Sequence, residues 1–273
     1  MKKRIIALTL STCSSLQLYG IDSLPWFSEV YSSRTSIGFN YYYFNKISGS
    51  LKDCSYPSNN YLSFIGTGFT PNQDWDVDFD LELVRTPRQN YSFRSSAIQG
   101  RYRLLNDINA DPISLVVGVN IRGVGSKSVK DVSSPYASYC NFEGTLSLGK
   151  EYAYNDSWIV RWSALGALGV ANQGYPWCRC EALVEGNCDY NYRLGVYSLG
   201  YFGLRGRDYV DVHHFTGWGK VLHQSVDVGA FFRYKFERWG GLKLAYTFRV
   251  YALNYPEWQQ SATLVYDLPF SMF

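Results

Sequence analysis

The sequence lacks long hydrophobic runs and is poor in charge. Among its 273 residues, no stretch after residue 20 carries the roughly 20 consecutive apolar residues that a transmembrane helix requires. Charged residues make up only 18%, and the net charge of +3 is small and scattered along the chain, which argues against nucleic-acid binding. No linker or low-complexity tract indicates a second domain. If the chain meets a membrane, it must do so with strands.

The first twenty residues have the layout of a secretory signal peptide. Lys2, Lys3 and Arg4 precede a short apolar segment, 5–10, which is followed by a small and polar run ending near Gly20. This order of charge and hydropathy predicts export, with residues 1–20 as the signal peptide and residues 21–273 as the mature domain. We therefore expect a protein of the cell envelope.

The composition favours β-structure, since aromatic residues reach 18% and include 24 Tyr. Segment 75–83 shows the pattern most clearly, because large apolar residues alternate with carboxylates in the order W-D-V-D-F-D-L-E-L. A period of two predicts a strand with a different environment on each face. In a soluble sandwich the apolar face would meet a core and the acidic face water, whereas in a membrane barrel the apolar face meets lipid and the acidic face a wet lumen.

Similar alternation along the chain predicts twelve strands. Taking both termini as periplasmic, the outer connections are generally long and the inner ones short, and the longest outer loop is expected at 171–189. An even strand number with this alternation of loop lengths is typical of a transmembrane antiparallel up-and-down β-barrel, with a sandwich as the alternative. The predicted strands are 37–44, 61–69, 75–83, 91–104, 115–122, 139–150, 158–170, 190–204, 208–216, 226–236, 242–250 and 261–270.

The last predicted strand resembles that of the Gram-negative outer-membrane β-barrel proteins. In that family the final strand usually ends in an aromatic residue, has alternating apolar residues before it and serves as the assembly signal; here three residues follow the aromatic one. The resemblance implies an integral outer-membrane location, contact with outer-membrane lipid and recognition by the barrel assembly machinery. The residues that carry it are Leu264, Tyr266, Leu268 and Phe270.

The faces predicted to point inward carry opposite charges on opposite sides of the barrel. Such walls would face each other across an aqueous lumen, and Arg101 and Arg103 are the expected partners of the acids on the neighbouring strand. The pattern predicts a narrow, porin-like channel for small hydrophilic solutes, without a cofactor. The alternative is a barrel whose charges pair and close it. The expected lining is Asp74, Asp76, Asp78, Asp80 and Glu82, with Arg101, Arg103, Arg193, Arg233, Lys235, Lys243 and Arg249.

Five cysteines remain once Cys13 is assigned to the signal peptide. They are expected in or beside outer loops, where disulfides are favoured over a metal site, because Cys178-x-Cys180 lacks a second Cys pair or a suitably spaced His. Five is an odd number, which leaves one thiol for a disulfide to another envelope protein. In this usage the chain loosely resembles the cysteine-bearing envelope proteins of chlamydiae. The disulfide candidates are Cys54, Cys140, Cys178, Cys180 and Cys188.

Individual residues suggest two further functions. The histidines His213, His214 and His223 suggest a membrane-embedded hydrolase, but no Ser stands near them at the spacing of the outer-membrane phospholipases, and we predict no enzyme. A structural or adhesive surface barrel would instead bind a partner through exposed aromatic residues of its loops, for which Trp177 and Trp218 are the candidates.

Overall fold

The chain forms a closed barrel of twelve antiparallel strands in a computed structural model that describes residues 23–51, 55–154, 157–189, 191–236 and 239–268. Each strand pairs with its neighbours in sequence, and the first closes on the last. The predicted all-β, up-and-down architecture is confirmed. Strands β1 to β12 span Ser33–Phe44, Ser58–Phe69, Trp75–Thr86, Gln89–Leu105, Ser114–Val124, Cys140–Tyr154, Ser157–Ala171, Trp177–Asp189, Tyr192–Gly203, Gln224–Phe236, Gly240–Leu253 and Gln260–Leu268.

The two faces of the barrel have the chemistry that the alternation predicts. On β3, Val77 and Phe79 are exposed on the outside, whereas Asp76, Asp78 and Asp80 are buried on the inside. Exposed large apolar residues recur on the outer face around the barrel, as a surface in contact with lipid requires. Within the described residues, no helix is long and apolar enough to cross a membrane.

Two segments exchange roles relative to the sequence prediction, although the strand number is unchanged. Segment 171–189, expected as the longest loop, contains β8, and segment 208–216, expected as a strand, belongs to the outer connection 204–223. The buried side chains of Val210 and Val212 explain the misleading alternation, because they pack against loop residues inside the barrel instead of pairing with a strand.

The cysteines of β8 lie on the outer face. Cys178, Cys180 and Cys188 share the parity of the exposed Val184, so they are small apolar residues of a strand and not loop residues. Together with Cys140 they are free, so the expected disulfides among these four are not present. Cys54 and the predicted signal peptide lie outside the described residues, and a disulfide to another envelope protein stays a prediction.

The longest connections lie at the end of the barrel that was predicted to be the outer one, although the connection 87–88 at the same end has only two residues. With Ser33 at the periplasmic end, the outer connections include 125–139 and 204–223, whereas the longest inner one is 106–113. A short ladder between Lys46–Ile47 and Pro256–Glu257 joins two outer loops. One helical turn, Ser126–Val129, and 3-10 turns at Asp107–Asn109 and Trp218–Lys220 complete the described elements.

Placing a charge on β8 tests whether this segment spans the bilayer. Val184→Arg puts a guanidinium near the middle of the lipid-facing side, and we expect it to lower the free energy of unfolding by about 2–4 kcal/mol. The control Gln173→Arg, in the exposed loop before the strand, should change it by less than about 0.5 kcal/mol. Denaturant titration of the protein in lipid vesicles measures both, and equal stability of the two variants would contradict the assignment of β8.

Candidate functional site

Four carboxylates of β3 form a buried ladder inside the barrel, and each one meets arginine. The arginines come from β1, β4 and β5, so the ladder ties β3 to its neighbour β4, across β2 to β1, and across β4 to β5. Because a carboxylate is costly to bury unless it is paired, the pairing explains how four acids lie on one inner face. Arg34 contacts Asp76 at 2.8 Å and Asp78 at 2.6 Å, Arg101 contacts Asp76 and, at 3.4 Å, Asp78, Arg122 contacts Asp80 at 2.6 Å and Glu82 at 3.3 Å, and Arg94 lies 3.6 Å from Glu82.

One of the residues predicted to line the lumen, Asp74, lies elsewhere, whereas the guanidinium of Arg103 lies 4.9 Å from the ring centroid of the buried Phe27. Asp74 is exposed in the turn before β3, because the side chain of Asn72 accepts hydrogen bonds from the backbone N–H groups of Asp74 and Trp75, each at 2.9 Å. Arg103 donates to the backbone carbonyl of Gln73 at the same end of the barrel. The acidic ladder therefore begins at Asp76.

Sequence reasoning missed three of the four arginines. Arg34 precedes the predicted start of the first strand, and Arg122 shares the inward parity of Asn120 but was not singled out. Arg94 is at an even position, whereas the inward residues predicted for its strand, such as Arg101, are at odd positions. The pairing of β3 with β4 shifts register at this point, between Glu82 and Leu83. Such a β-bulge lets two successive residues point to the same side, and both Arg94 and Ser95 are buried.

The basic side of the lumen is also paired locally. Arg233 contacts Asp267 at 2.7 Å, and Arg249 contacts Asp227 at 2.6 Å. The ammonium of Lys243 lies 4.6 Å from the ring centroid of Phe231. Basic residues on one side of the lumen thus form ion pairs with nearby carboxylates, and the acids on the other side form ion pairs with nearby arginines. The electric field that was expected across the lumen is therefore largely neutralised within each wall. Arg193 and Lys235 are half-buried near the periplasmic end.

The segment before β1, residues 23–32, enters the lumen from the periplasmic end. Leu24 and Trp26 are buried in an apolar cluster with inward residues of β8 to β11. The indole N–H of Trp26 donates to Asp107 at 3.0 Å, and Arg101 donates to the carbonyl of Leu24 at 2.7 Å. Because the sequence of this segment shows no alternation, nothing in it pointed to a place inside the barrel.

The outer loop 125–139 enters from the opposite end and is anchored on the ladder. The hydroxyl of Tyr136 donates to the carboxylate of Glu82, and the hydroxyl of Tyr42 donates to the carbonyl of Ser133 at 2.9 Å. Burial raises the pKa of Tyr136 well above its usual range, so the phenol remains a donor at neutral pH. The ladder therefore holds both the wall of the barrel and a loop inside it.

The outer connection 204–223 closes the same end with an aromatic cluster. Trp218 is fully buried there, 4.4 Å from the ring of Tyr255, and Trp177 is buried on the inner face of β8. These two tryptophans are therefore not the exposed partner-binding residues that the sequence suggested.

His214 and His223 lie in different surroundings, one on the surface and one in the buried aromatic cluster. His214 contacts Asp211 at 3.0 Å, and its side chain is 86% exposed on the outer loop. His223 is buried beside Tyr201 and Trp218, and burial lowers its pKa to about 4, so it is neutral at pH 7. In the part of the chain that the structure describes, no group of three or more His, Cys, Asp or Glu residues could hold a metal ion.

Between the periplasmic segment and the outer loops lies a cavity of about 200 Å³. Its charged lining consists of three arginines, Arg122, Arg179 and Arg249, and three carboxylates, Glu143, Glu181 and Asp227, so it is balanced in charge. Arg179 contacts Glu143 at 3.0 Å and also pairs with Glu181. The sequence analysis predicts a loop at 171–189 and therefore does not include Arg179 and Glu181 in the lining. The segment W-C-R-C-E-A nevertheless alternates, because Cys178, Cys180 and Ala182 are small and apolar whereas Arg179 and Glu181 are charged.

Comparison with solved structures defines the class of fold. No family model and no curated protein matches the chain. An outer membrane channel from Pseudomonas putida F1 superposes with a TM-score of 0.64 at 8% identity, over 89% of this chain and 97% of the other. The NanC porin superposes with a TM-score of 0.55 at 9% identity, over 86% of this chain and 100% of the other. The KdgM porin in complex with disordered oligogalacturonate superposes with a TM-score of 0.52 at 9% identity, over 86% of this chain and 99% of the other. The chain has the fold of the outer-membrane β-barrel channels.

The predicted assembly signal lies on β12, which closes the barrel between β11 and β1. Leu264 is exposed on the outer face and pairs with Phe39 of β1 and Leu244 of β11. Phe270 lies outside the described residues, and the role of this strand in assembly stays a prediction. No comparison supports the similarity to chlamydial envelope proteins.

Removing one acid of the ladder should destabilise the barrel. Asp76→Asn takes a buried carboxylate from between Arg34 and Arg101, and we expect a loss of about 3 kcal/mol in the free energy of unfolding. The matched control is Asp74→Asn, an exposed residue two positions earlier, which should change stability by less than about 0.5 kcal/mol. Denaturant unfolding in vesicles measures both. If Asp76→Asn behaved like the control, the ladder would not stabilise the barrel.

Proposed function

We propose that the protein is a narrow, porin-like channel for small hydrophilic solutes in the outer membrane. The observation that carries the proposal is the polar, cavity-containing interior of a closed barrel whose outside is apolar. The interior of a small barrel is just wide enough for its own side chains to fill, whereas this lumen retains a cavity. The printed names of the neighbours, an outer membrane channel and two porins, support the same function. The route would pass through the cavity.

The same interior supports a second candidate, a structural barrel that does not conduct. Residues 23–32 and the two outer loops occupy the lumen on both sides of the cavity, and each is held by buried contacts. If the protein is a channel, these segments narrow the lumen, and solutes pass between them or the segments move aside. If it is a structural barrel, the segments block the lumen permanently. Conductance separates the two candidates directly.

The location and partners belong to the same proposal. The apolar outer face would contact outer-membrane lipid, residues 1–20 would direct export and the barrel assembly machinery would insert the protein. The envelope location is supported by the fold that the chain shares with outer-membrane channels. No catalytic activity is proposed.

Single-channel recording with a variant of the periplasmic segment tests the channel. Trp26→Ala removes an indole that fills the lumen beneath the cavity, and we expect the conductance in planar bilayers to rise severalfold. Trp239→Ala, which alters an exposed tryptophan at a periplasmic turn, is the control and should conduct like the unchanged protein. If neither the unchanged protein nor Trp26→Ala carried current, the channel would be excluded in favour of the structural barrel.

A hydroxyl deletion tests the outer constriction. Tyr136→Phe removes the donor that holds loop 125–139 to Glu82, and we expect more frequent transitions to a higher conductance, because the loop is then less tightly held. Tyr139→Phe changes an exposed tyrosine of the same loop and should leave the recording unchanged. Identical traces for the two variants would show that the Tyr136 contact does not restrict the lumen.

A further inference from the structure

The central cavity has the dimensions of a small-molecule site. Its volume of about 200 Å³ exceeds the roughly 150 Å³ in which an engineered protein cavity holds benzene. Ser23 of the periplasmic segment lines it, as do Pro135 and Tyr136 of the outer loop and Tyr255 of the last outer connection. A six-membered ring with a few substituents therefore fits between the two constrictions.

The charges of the cavity favour a neutral occupant. Arg179 lies 3.0 Å from Glu143, and Arg249 lies 2.6 Å from Asp227, so these guanidinium groups already face carboxylates. A charged solute would have to displace one member of a buried ion pair, which leaves the other member uncompensated. A neutral polar solute can hydrogen-bond to the edges of these pairs without separating them.

One polar group of the lining is unused. Asn120 is 93% buried and lines the cavity, and its side-chain oxygen accepts no hydrogen bond from any described residue. Buried acceptors are normally satisfied, so this oxygen fits a ligand that donates. Asn141, by contrast, already exchanges hydrogen bonds with the backbone of Ser138. A hydroxyl group suits Asn120, because it can donate to the amide oxygen and accept from a neighbouring N–H group.

Aromatic rings supply the apolar part of the lining. The side chains of Tyr136, Trp177, Tyr201 and Tyr255 all line the cavity. Trp177 is fixed by its indole N–H, which donates to Glu143 at 2.9 Å, and Tyr255 has the guanidinium of Arg249 4.6 Å from its ring centroid. Rings held in this way present apolar surface to C–H groups while their polar ends remain bonded. A solute with both hydroxyl groups and C–H faces uses the whole lining.

We propose that this cavity binds a neutral, polyhydroxylated ring of about monosaccharide size. The inference rests on the proposed channel function, because a solute reaches the cavity only through the lumen. It names the substrate class of that channel. Ion pairs exclude charged solutes of the same size, the Asn120 oxygen selects a hydroxyl group, and the aromatic side chains contact the ring.

Three matched sugars test the charge preference. Glucose, glucosamine and glucuronate share one ring and differ in charge, so equilibrium binding of each to the folded protein in detergent measures the effect of charge alone. We expect glucose to bind at least about tenfold more tightly than either charged sugar. The same three sugars are then added to planar bilayers, where glucose should interrupt the current at lower concentration than the other two. Equal binding of all three would overturn the proposal.

Substitution of Asn120 tests the site itself. Asn120→Leu removes the acceptor and should weaken glucose binding about fivefold, as expected for one hydrogen bond. Thr263→Val is the matched control, because Thr263 is also buried, inward and without a partner for its hydroxyl among described residues, but lies outside the cavity lining. Circular dichroism verifies that both fold. Asn120→Asp keeps the shape, adds a negative charge and should shift the preference toward glucosamine.

The two readouts separate failure of the site from failure of the channel. Current without glucose binding would overturn the site and leave the channel standing. Glucose binding that depends on Asn120, in a protein without current, would overturn the channel and retain the site. Unchanged glucose affinity in both Asn120 variants, or an equal loss in Thr263→Val, would overturn the site even if glucose binds elsewhere.

Discussion

Backbone hydrogen bonding in a medium without water is the constraint on which the rest of this structure depends. Inside hydrocarbon every N–H and C=O group of a strand must be paired, so a sheet has to close on itself, as β1 and β12 do here. In the closed sheet, every second side chain of a strand points into the lumen and the others point toward lipid. Residues that lipid excludes are then concentrated in one narrow lumen, where they must find partners among themselves.

The ladder of β3 shows how that demand is met. Its four carboxylates reach arginines on β1, β4 and β5, so the ion pairs join β3 to its ladder partner β4 and also to β1 and β5, which lie one strand further around the barrel. On the other side of the barrel, Arg233 and Arg249 are matched by Asp267 and Asp227. Local neutrality of this kind removes the need for a large water-filled interior. It explains how a twelve-stranded barrel can admit an apolar segment such as that around Trp26 into its lumen.

Much of the fold was predictable because lipid and lumen differ so strongly in polarity. W-D-V-D-F-D-L-E-L showed which residues of β3 share a face, and the alternation of β9 to β12 was equally clear except at the strand ends. The errors arose where a second packing environment intervened. Val210 and Val212 alternate like a strand because they pack inside the barrel, and the bulge at Arg94 reverses a parity that sequence alone assumes to be regular.

The candidate site was less predictable, because half of it is built by contacts between distant parts of the chain. Arg179 and Glu181 alternate with cysteines that resemble polar loop residues but behave as small apolar ones on the lipid side. Tyr136 meets Glu82 across 54 residues, and Trp26 meets Asp107 across 81. No periodicity encodes such contacts. They depend on the shape of a lumen that exists only after closure.

Those long-range contacts also determine which part of the molecule can move. Every strand is held by a continuous ladder to both neighbours, and sliding one strand by a residue would turn its inward charges toward lipid. The periplasmic segment and loop 125–139 lie outside this ladder and are held by separate contacts, among them Trp26 with Asp107, Tyr136 with Glu82 and Thr86 with Asp131. The channel proposal therefore requires these segments, and not the wall, to make room for a solute. The cavity lies between them, so in the proposed channel each segment separates it from one end of the barrel.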